Sequence, residues 1–238
     1  MSASLRVRQL ASLLAALLVP GAMLAGQTVS ARAVIAAPKN SARVGGVMDR
    51  VDGVWGGAAL DFRAGRFTLS GSGTRGQLTS AASGTAPKRD VGELSLEGHY
   101  EFRPWLRFDL RYAARAFSSA AGYQRWDIVS IGAAGSRDLG TPAVRAVVGL
   151  TWLPVVRVSG QEAPTFALRS DVGLSVAPSR FPLAFTLEYR VERFRFSKSA
   201  VRSEQFEALT LSVGVRARRV GGRWTLGGGG LQYLGEVR

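Results

Sequence analysis

The sequence predicts an all-β fold, a closed antiparallel up-and-down barrel of about ten strands, with eight to twelve compatible with the chain length. Three observations point to it. Residues 91–117 alternate apolar and polar side chains with a period of two, which sorts onto the two faces of a strand and would scatter around a helix. A single hairpin register through that stretch sets opposite charges against each other on one face. The alternation then recurs about every 18 residues, a spacing that suits membrane strands of ~9–11 residues plus connections.

Composition limits the chemistry. The 238 residues include no cysteine and one histidine, 20% are charged, and the mean hydropathy is +0.08. This excludes a disordered chain, a disulfide scaffold, a thiolate metal or redox site and a multi-histidine metal centre. No cofactor and no metal are expected. The formal charge of +14 is not a nucleic-acid signature, because the arginines recur at strand spacing instead of forming one basic stripe.

Residues 1–26 have the layout of a signal peptide. Arg6 and Arg8 precede an apolar stretch from Leu10 to Leu24, and small residues follow at Ala22, Ala25 and Gly26. Cleavage is expected between 25 and 33. Gln27 stands where a lipoprotein box needs cysteine. Residues 27–50 show no sustained period and read as a flexible tail with a weak strand at 44–51; the barrel is expected over 51–238.

Each strand follows from its own alternation. Val54–Phe62 and Phe67–Ser70 form a tight hairpin. Leu94, Leu96, Gly98, Tyr100 and Phe102 share one face, and Glu93, Ser95, Glu97, His99 and Glu101 the other. After a loop at 103–105, Leu106, Phe108, Leu110, Tyr112 and Ala114 are apolar against Arg107, Asp109, Arg111 and Arg115. The hairpin register then places Glu101 opposite Arg107, Glu97 opposite Arg111, Glu93 opposite Arg115 and His99 opposite Asp109. A one-residue slip would set apolar against charged throughout.

Further along, Trp126 and Ile128 are even but Ile131 and Ala133 odd, which predicts a bulge in 123–137. Val144–Trp152 and Phe166–Val176 follow. Phe181, Leu183, Phe185, Leu187 and Tyr189 form the next face, and pairing Val176 with Phe181 sets Arg169 opposite Glu188. Leu209–Val215 and a last strand opened by Trp224 and Leu226 complete the barrel, with a phase slip at Gly227–Gly230.

The choice of solvent for each face rests on the charge of the polar side. Turned inward, Phe, Tyr and Leu would have to fill the barrel or hold a large apolar ligand. Turned outward, they meet hydrocarbon, and the interior becomes a ladder of ion pairs made by Glu93, Glu97, Glu101, Arg107, Arg111, Arg115, Arg169 and Glu188. The lipid-facing set is then Leu94, Leu96, Tyr100, Phe102, Phe108, Leu110, Leu183, Phe185 and Leu187. Phe62, Phe67, Phe102, Phe181 and Trp224 would form one interfacial girdle, with Trp126, Phe166 and Tyr189 contributing to the other.

On these residues the chain resembles the broad class of small bacterial outer-membrane β-barrels over about residues 50–238. The resemblance implies a monomer in the outer membrane, with the lipid bilayer, lipopolysaccharide phosphates and the barrel-assembly machinery as partners. It implies a non-enzymatic role in envelope structure, surface interaction or limited solute passage. Two features depart from the class. No terminal Phe ends the chain, and counting strands from Val54 puts the tight turns on the side where the longer loops belong.

Candidate chemistry is sparse. His99 with Asp109 as orienting carboxylate and Ser95 as nucleophile is the hydrolase alternative. Ser95 lies four residues from His99, roughly 13 Å along a strand, and barrel lipases usually space the two residues more closely. A soluble periplasmic barrel holding an apolar ligand is the second alternative. Arg107, Arg111, Arg115, Arg145, Arg157, Arg169, Arg190 and Arg216 are predicted to point inward, where they would line an anion-preferring pore or be neutralised by acids. Arg193, Arg195, Lys198 and Arg202 cluster at one rim, where guanidinium groups suit phosphate.

Overall fold

A computed structural model describes residues 27–44, 46–80, 89–119, 122–178, 182–197, 202–220 and 223–226. The strands are β1 (Thr28–Val44), β2 (Val47–Ala64), β3 (Phe67–Ser80), β4 (Arg89–Arg103), β5 (Leu106–Ser119) and β6 (Gly122–Asp138). They continue as β7 (Val144–Val158), β8 (Phe166–Val176), β9 (Leu183–Arg195), β10 (Arg202–Val220) and the short β11 (Arg223–Leu226). Each strand pairs with its sequence neighbour, and β1 also pairs antiparallel with β10 from Thr28↔Arg218 to Val44↔Arg202. That last ladder closes a ten-stranded barrel and leaves no open edge in the wall. β11 adds only to the end of β10.

The expected tail is in fact wall. Residues 28–44 form β1, and the weak strand expected at 44–51 spans the β1–β2 turn, where Gly46 has φ +89°. Sequence contrast is low there because alanine occupies both faces: Ala31, Ala33 and Ala37 point out and Ala36 points in. Counting β1 also removes the topological departure. The end where β1 begins and β10 finishes has the two-residue turns at 65–66 and 104–105 and the connections at 139–143 and 177–182; the other end has two-residue connections at 45–46 and 120–121 and the longest ones, at 81–88 and 159–165, with 196–201. The signal-peptide segment, Lys198 and the Gly227–Gly230 slip lie outside the described residues, and the side chains of Phe181, Arg216 and Trp224 are likewise not described.

The β4–β5 register matches the predicted one, with Glu93↔Arg115, Glu97↔Arg111, His99↔Asp109 and Glu101↔Arg107. The β8–β9 register does not. Val176 faces Phe185, so Arg169 faces Glu192 and not Glu188. The connection at 177–182 is longer than a tight turn, which moves the pairing by four residues and keeps every side chain on its predicted face. The expected irregularity near 129–131 is present, but on the β7 side: the β6–β7 pairing shifts between Val129 and Ile131, while β6 runs unbroken against β5.

Outward apolar residues form a continuous belt, with Leu94 (68% exposed), Phe102, Phe108, Leu110, Leu183, Phe185 and Leu187 all exposed and Leu96 and Tyr100 partly so. On β2, β4 and β9 this belt runs for nine residues, which at ~3.3 Å per residue and a tilt of about 40° rises about 23 Å. Phe67 packs against Tyr100 at 4.8 Å and Phe102 against Phe108 at 6.0 Å near the tight turns.

Towards the loop end the polarity of the wall reverses. On β9, Leu187, Tyr189 and Val191 point out over Glu188, Arg190 and Glu192; beyond them Arg193 and Arg195 point out over Phe194. On β6, Ile131 and Ala133 point out over Ser130 and Gly132, whereas Arg125 and Asp127 point out over Trp126 and Ile128. Strands β2, β3, β4 and β10 reverse likewise at Asp52, Gln77, Asp90 and Glu207, and on β7 the extra residue at 153–154 turns Arg157 outward and Val156 and Val158 inward. Trp126 is therefore an interior residue, not an outer-girdle one, and Arg157 points outward, contrary to the sequence expectation. The mixed phase at 126–133 is a reversal of polarity along one strand, not a slip of its backbone.

Candidate functional site

The lumen holds three layers. Halfway along, β4, β5 and β9 aim long charged side chains at one another because inward positions on neighbouring strands share a level. Arg111 donates to Glu93 at 2.5 Å, and Arg115 donates to the other oxygen of Glu93 at 2.7 Å from Nε. Arg115 also reaches Glu192 at 2.9 Å, and Arg190 lies 3.8 Å from both Glu93 and Glu192. Arg115 is 2% exposed, with its guanidinium 3.9 Å from the Phe206 ring centroid. These groups form a septum across the barrel.

Above the septum, towards the loops, the lumen is mainly apolar, with the Arg89–Asp49 and Arg202–Glu204 pairs near the strand ends. Trp126 packs edge-on against Phe194 at 5.0 Å and Trp55 against Phe206 at 5.6 Å. Val51, Leu78, Val91, Ile128, Leu153, Val156 and Val158 fill the space between. Arg202 faces this interior too; it pairs with Glu204 and stacks on Phe196 at 4.3 Å, so it does not join Arg193 and Arg195 on the outer wall. Sequence reasoning missed this plug. Its signal was present as apolar residues in the polar phase: Trp55, Val91, Trp126, Phe194 and Phe206.

Below the septum a polar cavity of about 420 Å³ lies towards the tight turns. Seven arginines and seven carboxylates line it, so the predicted excess of arginine that would favour anions is balanced. Asp61 accepts from Ser30 at 2.9 Å, Arg32 at 2.8 Å and Ser70 at 2.7 Å. These partners were not singled out from sequence, although Asp61 and Arg63 share the polar phase of β2.

The predicted ladder is only partly made as drawn. Glu93–Arg115 forms, but Glu101 binds Arg63 at 2.6 Å, Arg107 turns to Asp109 at 3.1 Å, and Arg111 reaches diagonally to Glu93. Side-chain reach, not register alone, selects these partners: Arg111 passes Glu97 to reach Glu93 four residues along β4, Arg107 turns to Asp109 on its own strand, and Arg63 reaches Glu101 across β3. Arg169 lies between Glu97 at 3.8 Å and Asp171 at 3.6 Å and donates to Thr151 at 3.2 Å. Glu188 lines the cavity without pairing to Arg169.

His99 Nδ1 lies 2.6 Å from Asp109 and 4.0 Å from Glu97. The three groups are close enough to share a cation, yet Arg107 and Arg169 already supply positive charge to both carboxylates. The Ser95 hydroxyl is 2.7 Å from that of Ser72, so the structure joins His99 to Asp109 and gives Ser95 to a different partner. The arrangement of a soluble barrel, with Leu94, Phe108 and Leu187 enclosed, is not the one observed: all three face outward.

No protein-family model matches the chain, and no curated protein matches it. Among solved structures, the backbone is similar to the translocator domain of the autotransporter NalP from Neisseria meningitidis, at 13% identity over 90% of this chain and 95% of that one, with a TM-score of 0.41. It is also similar to an outer-membrane channel from Pseudomonas putida F1, at 14% identity over 82% and 97% of the two chains and a TM-score of 0.44. Neisserial surface protein A is similar at 14% identity over 79% and 96%, with a TM-score of 0.36.

Proposed function

We propose that the chain is an exported, non-catalytic outer-membrane barrel that spans the bilayer as a sealed monomer and presents its loop end to the exterior. The observation that carries this reading is the reversal of wall polarity at one level. Below it, apolar residues cover the outside for about 23 Å, close to the ~25 Å band of membrane barrels. Above it, charge faces out and aromatic residues face in, as in a barrel standing in water. The longest connections, 81–88 and 159–165, fall on the side that is outside in such barrels, which supports the orientation. The β1–β10 closure leaves no strand edge to recruit a second copy, which supports a monomer that the assembly machinery inserts whole.

The septum and the aromatic plug lie in series across the lumen, which favours envelope structure or surface contact over solute passage. The full-length protein produced in a Gram-negative host is therefore expected in the outer-membrane fraction, running faster on a gel before boiling than after. Purified into planar bilayers, it is expected to leave the baseline conductance unchanged. Recovery in osmotic-shock fluid would refute the membrane reading, and a sustained open channel would refute the sealed lumen. An esterase or peptidase activity abolished by His99→Ala would refute the non-catalytic role.

A further inference from the structure

At the level where polarity reverses, outward basic side chains gather in one sector of the wall, whereas Arg75 on β3 and Arg157 on β7 stand singly. Arg193 and Arg195 on β9, Lys39 and Arg43 on β1 and Arg50 on β2 all point outward there, against Glu207 and Asp52. Lys39 faces Glu207 on one side and Asp52 on the other. Glu207 also accepts from Tyr189 at 2.8 Å and Gln205 at 2.6 Å. Arg43, Arg193 and Arg195 have no carboxylate within 4.0 Å among the described residues. The opposite sector differs: Arg125 is bound to Asp127 at 2.9 Å, and Tyr112 donates to the same carboxylate at 2.8 Å.

Register brings the three unpaired guanidiniums together. Ser203 on β10 faces Arg195 on one side and Arg43 on the other, so the two arginines stand two strand spacings, about 10 Å, apart. Arg193 lies two residues along from Arg195, beside Gln205. Immediately towards the belt, Tyr189, Leu209, Leu211 and Ile35 form an exposed apolar shelf. The sector thus offers fork donors for phosphate, a hydroxyl and an amide between them, and an apolar surface directly below. Arg195 ends β9 and Arg43 stands one residue from the end of β1, and both project from the side wall beyond the belt, within reach of a ligand embedded in the membrane.

From this geometry we propose that the β9–β10–β1–β2 sector is a binding site for a phosphate-bearing glycolipid of the outer leaflet, with Arg43, Arg193 and Arg195 gripping its phosphates and the Tyr189–Leu209–Ile35 shelf holding its acyl chains. Guanidinium groups suit this role because they contact phosphate oxygens bidentately. The inference rests on the membrane orientation proposed above, and it adds a ligand class and a place.

The test uses full-length protein in a neutral detergent, titrated with diphosphoryl lipid A and followed by native mass spectrometry. Each of Arg43→Gln, Arg193→Gln and Arg195→Gln is expected to weaken binding about fivefold, and the triple variant about 100-fold. Arg125→Gln and Arg157→Gln, on the other sector, are expected to stay within about twofold of the parent, below the effect of one membrane-facing charge. A dephosphorylated lipid A should bind no better to the parent than to the triple variant, and inorganic pyrophosphate should not displace the lipid. Undiminished binding by the triple variant, equal losses in the control sector, or full displacement by pyrophosphate would each overturn the site. Heat-modifiable mobility is measured on every variant, so a parent that fails to form a membrane barrel refutes the orientation separately from the lipid site.

Discussion

Replacing Arg115 by methionine removes the cation at the centre of the septum while keeping most of its stem volume. Arg115 is 2% exposed and lies 2.6 Å from Glu93, 2.9 Å from Glu192 and 3.9 Å from the Phe206 ring centroid. Without it Glu93 keeps Arg111 at 2.5 Å, but Glu192 is left with Arg190 at 3.8 Å. Removing one partner of a buried pair costs about 3–5 kcal/mol, and the contact with the Phe206 ring is lost with it. A loss of about 4 kcal/mol is therefore expected for Arg115→Met, roughly a thousandfold in the folding equilibrium. Adding Glu192→Gln removes the stranded carboxylate and should recover about half of that loss. Urea titration in lipid vesicles, followed by tryptophan fluorescence and by gel mobility without boiling, measures both. A single variant that costs less than about 1 kcal/mol, or a double variant no more stable than the single, would refute the septum as a cooperative charge network.

Other consequences can be checked in the same assay. Leu187→Arg, in the middle of the outward belt, is expected to cost about 2–4 kcal/mol, whereas Val191→Arg, near the reversal, should cost about 0–1 kcal/mol; equal costs would argue against lipid around the belt. Trp126→Ala should cost about 3–5 kcal/mol through the hole it leaves in the plug. Trp126→Phe should stay within about 1.5 kcal/mol, because the indole N–H meets no acceptor among the described residues. Gly57→Ala should destabilise by about 1–3 kcal/mol, since a Cβ there would run into the backbone of Gly73 and Thr74; a neutral result would contradict the close approach of β2 to β3.

Much of the wall was legible because a period of two is robust where one face is rich in Leu and Phe and the other in Glu and Arg. The β4–β5 hairpin shows this, since four cross-strand pairs followed from its register alone. Four kinds of information were not local. Strand β1 was hidden because alanines on both faces flatten the alternation. The β8–β9 register depends on how the 177–182 connection bends, and only parity could be read from the residues themselves. The plug was obscured by the assumption of one solvent per face. Trp126, Phe194 and Phe206 look out of place in a polar phase until the strand is allowed to leave the bilayer partway along. The partners taken by Arg63 across β3, by Arg107 along its own strand and by Arg111 four residues out of register depend on side-chain reach, which the register does not encode.

The claim that the reversal level is the edge of the bilayer can be measured directly, because the chain has no cysteine to interfere with labelling. Single cysteines carrying nitroxides at positions 94, 131 and 187 of the belt and at 50, 125 and 195 beyond it would be placed in the protein in lipid vesicles. Collision with oxygen and with a water-soluble nickel chelate then reports depth. The account predicts oxygen-dominated relaxation at the first three positions and chelate-dominated relaxation at the last three. Chelate access at 94, 131 and 187 equal to that at 50, 125 and 195 would contradict it.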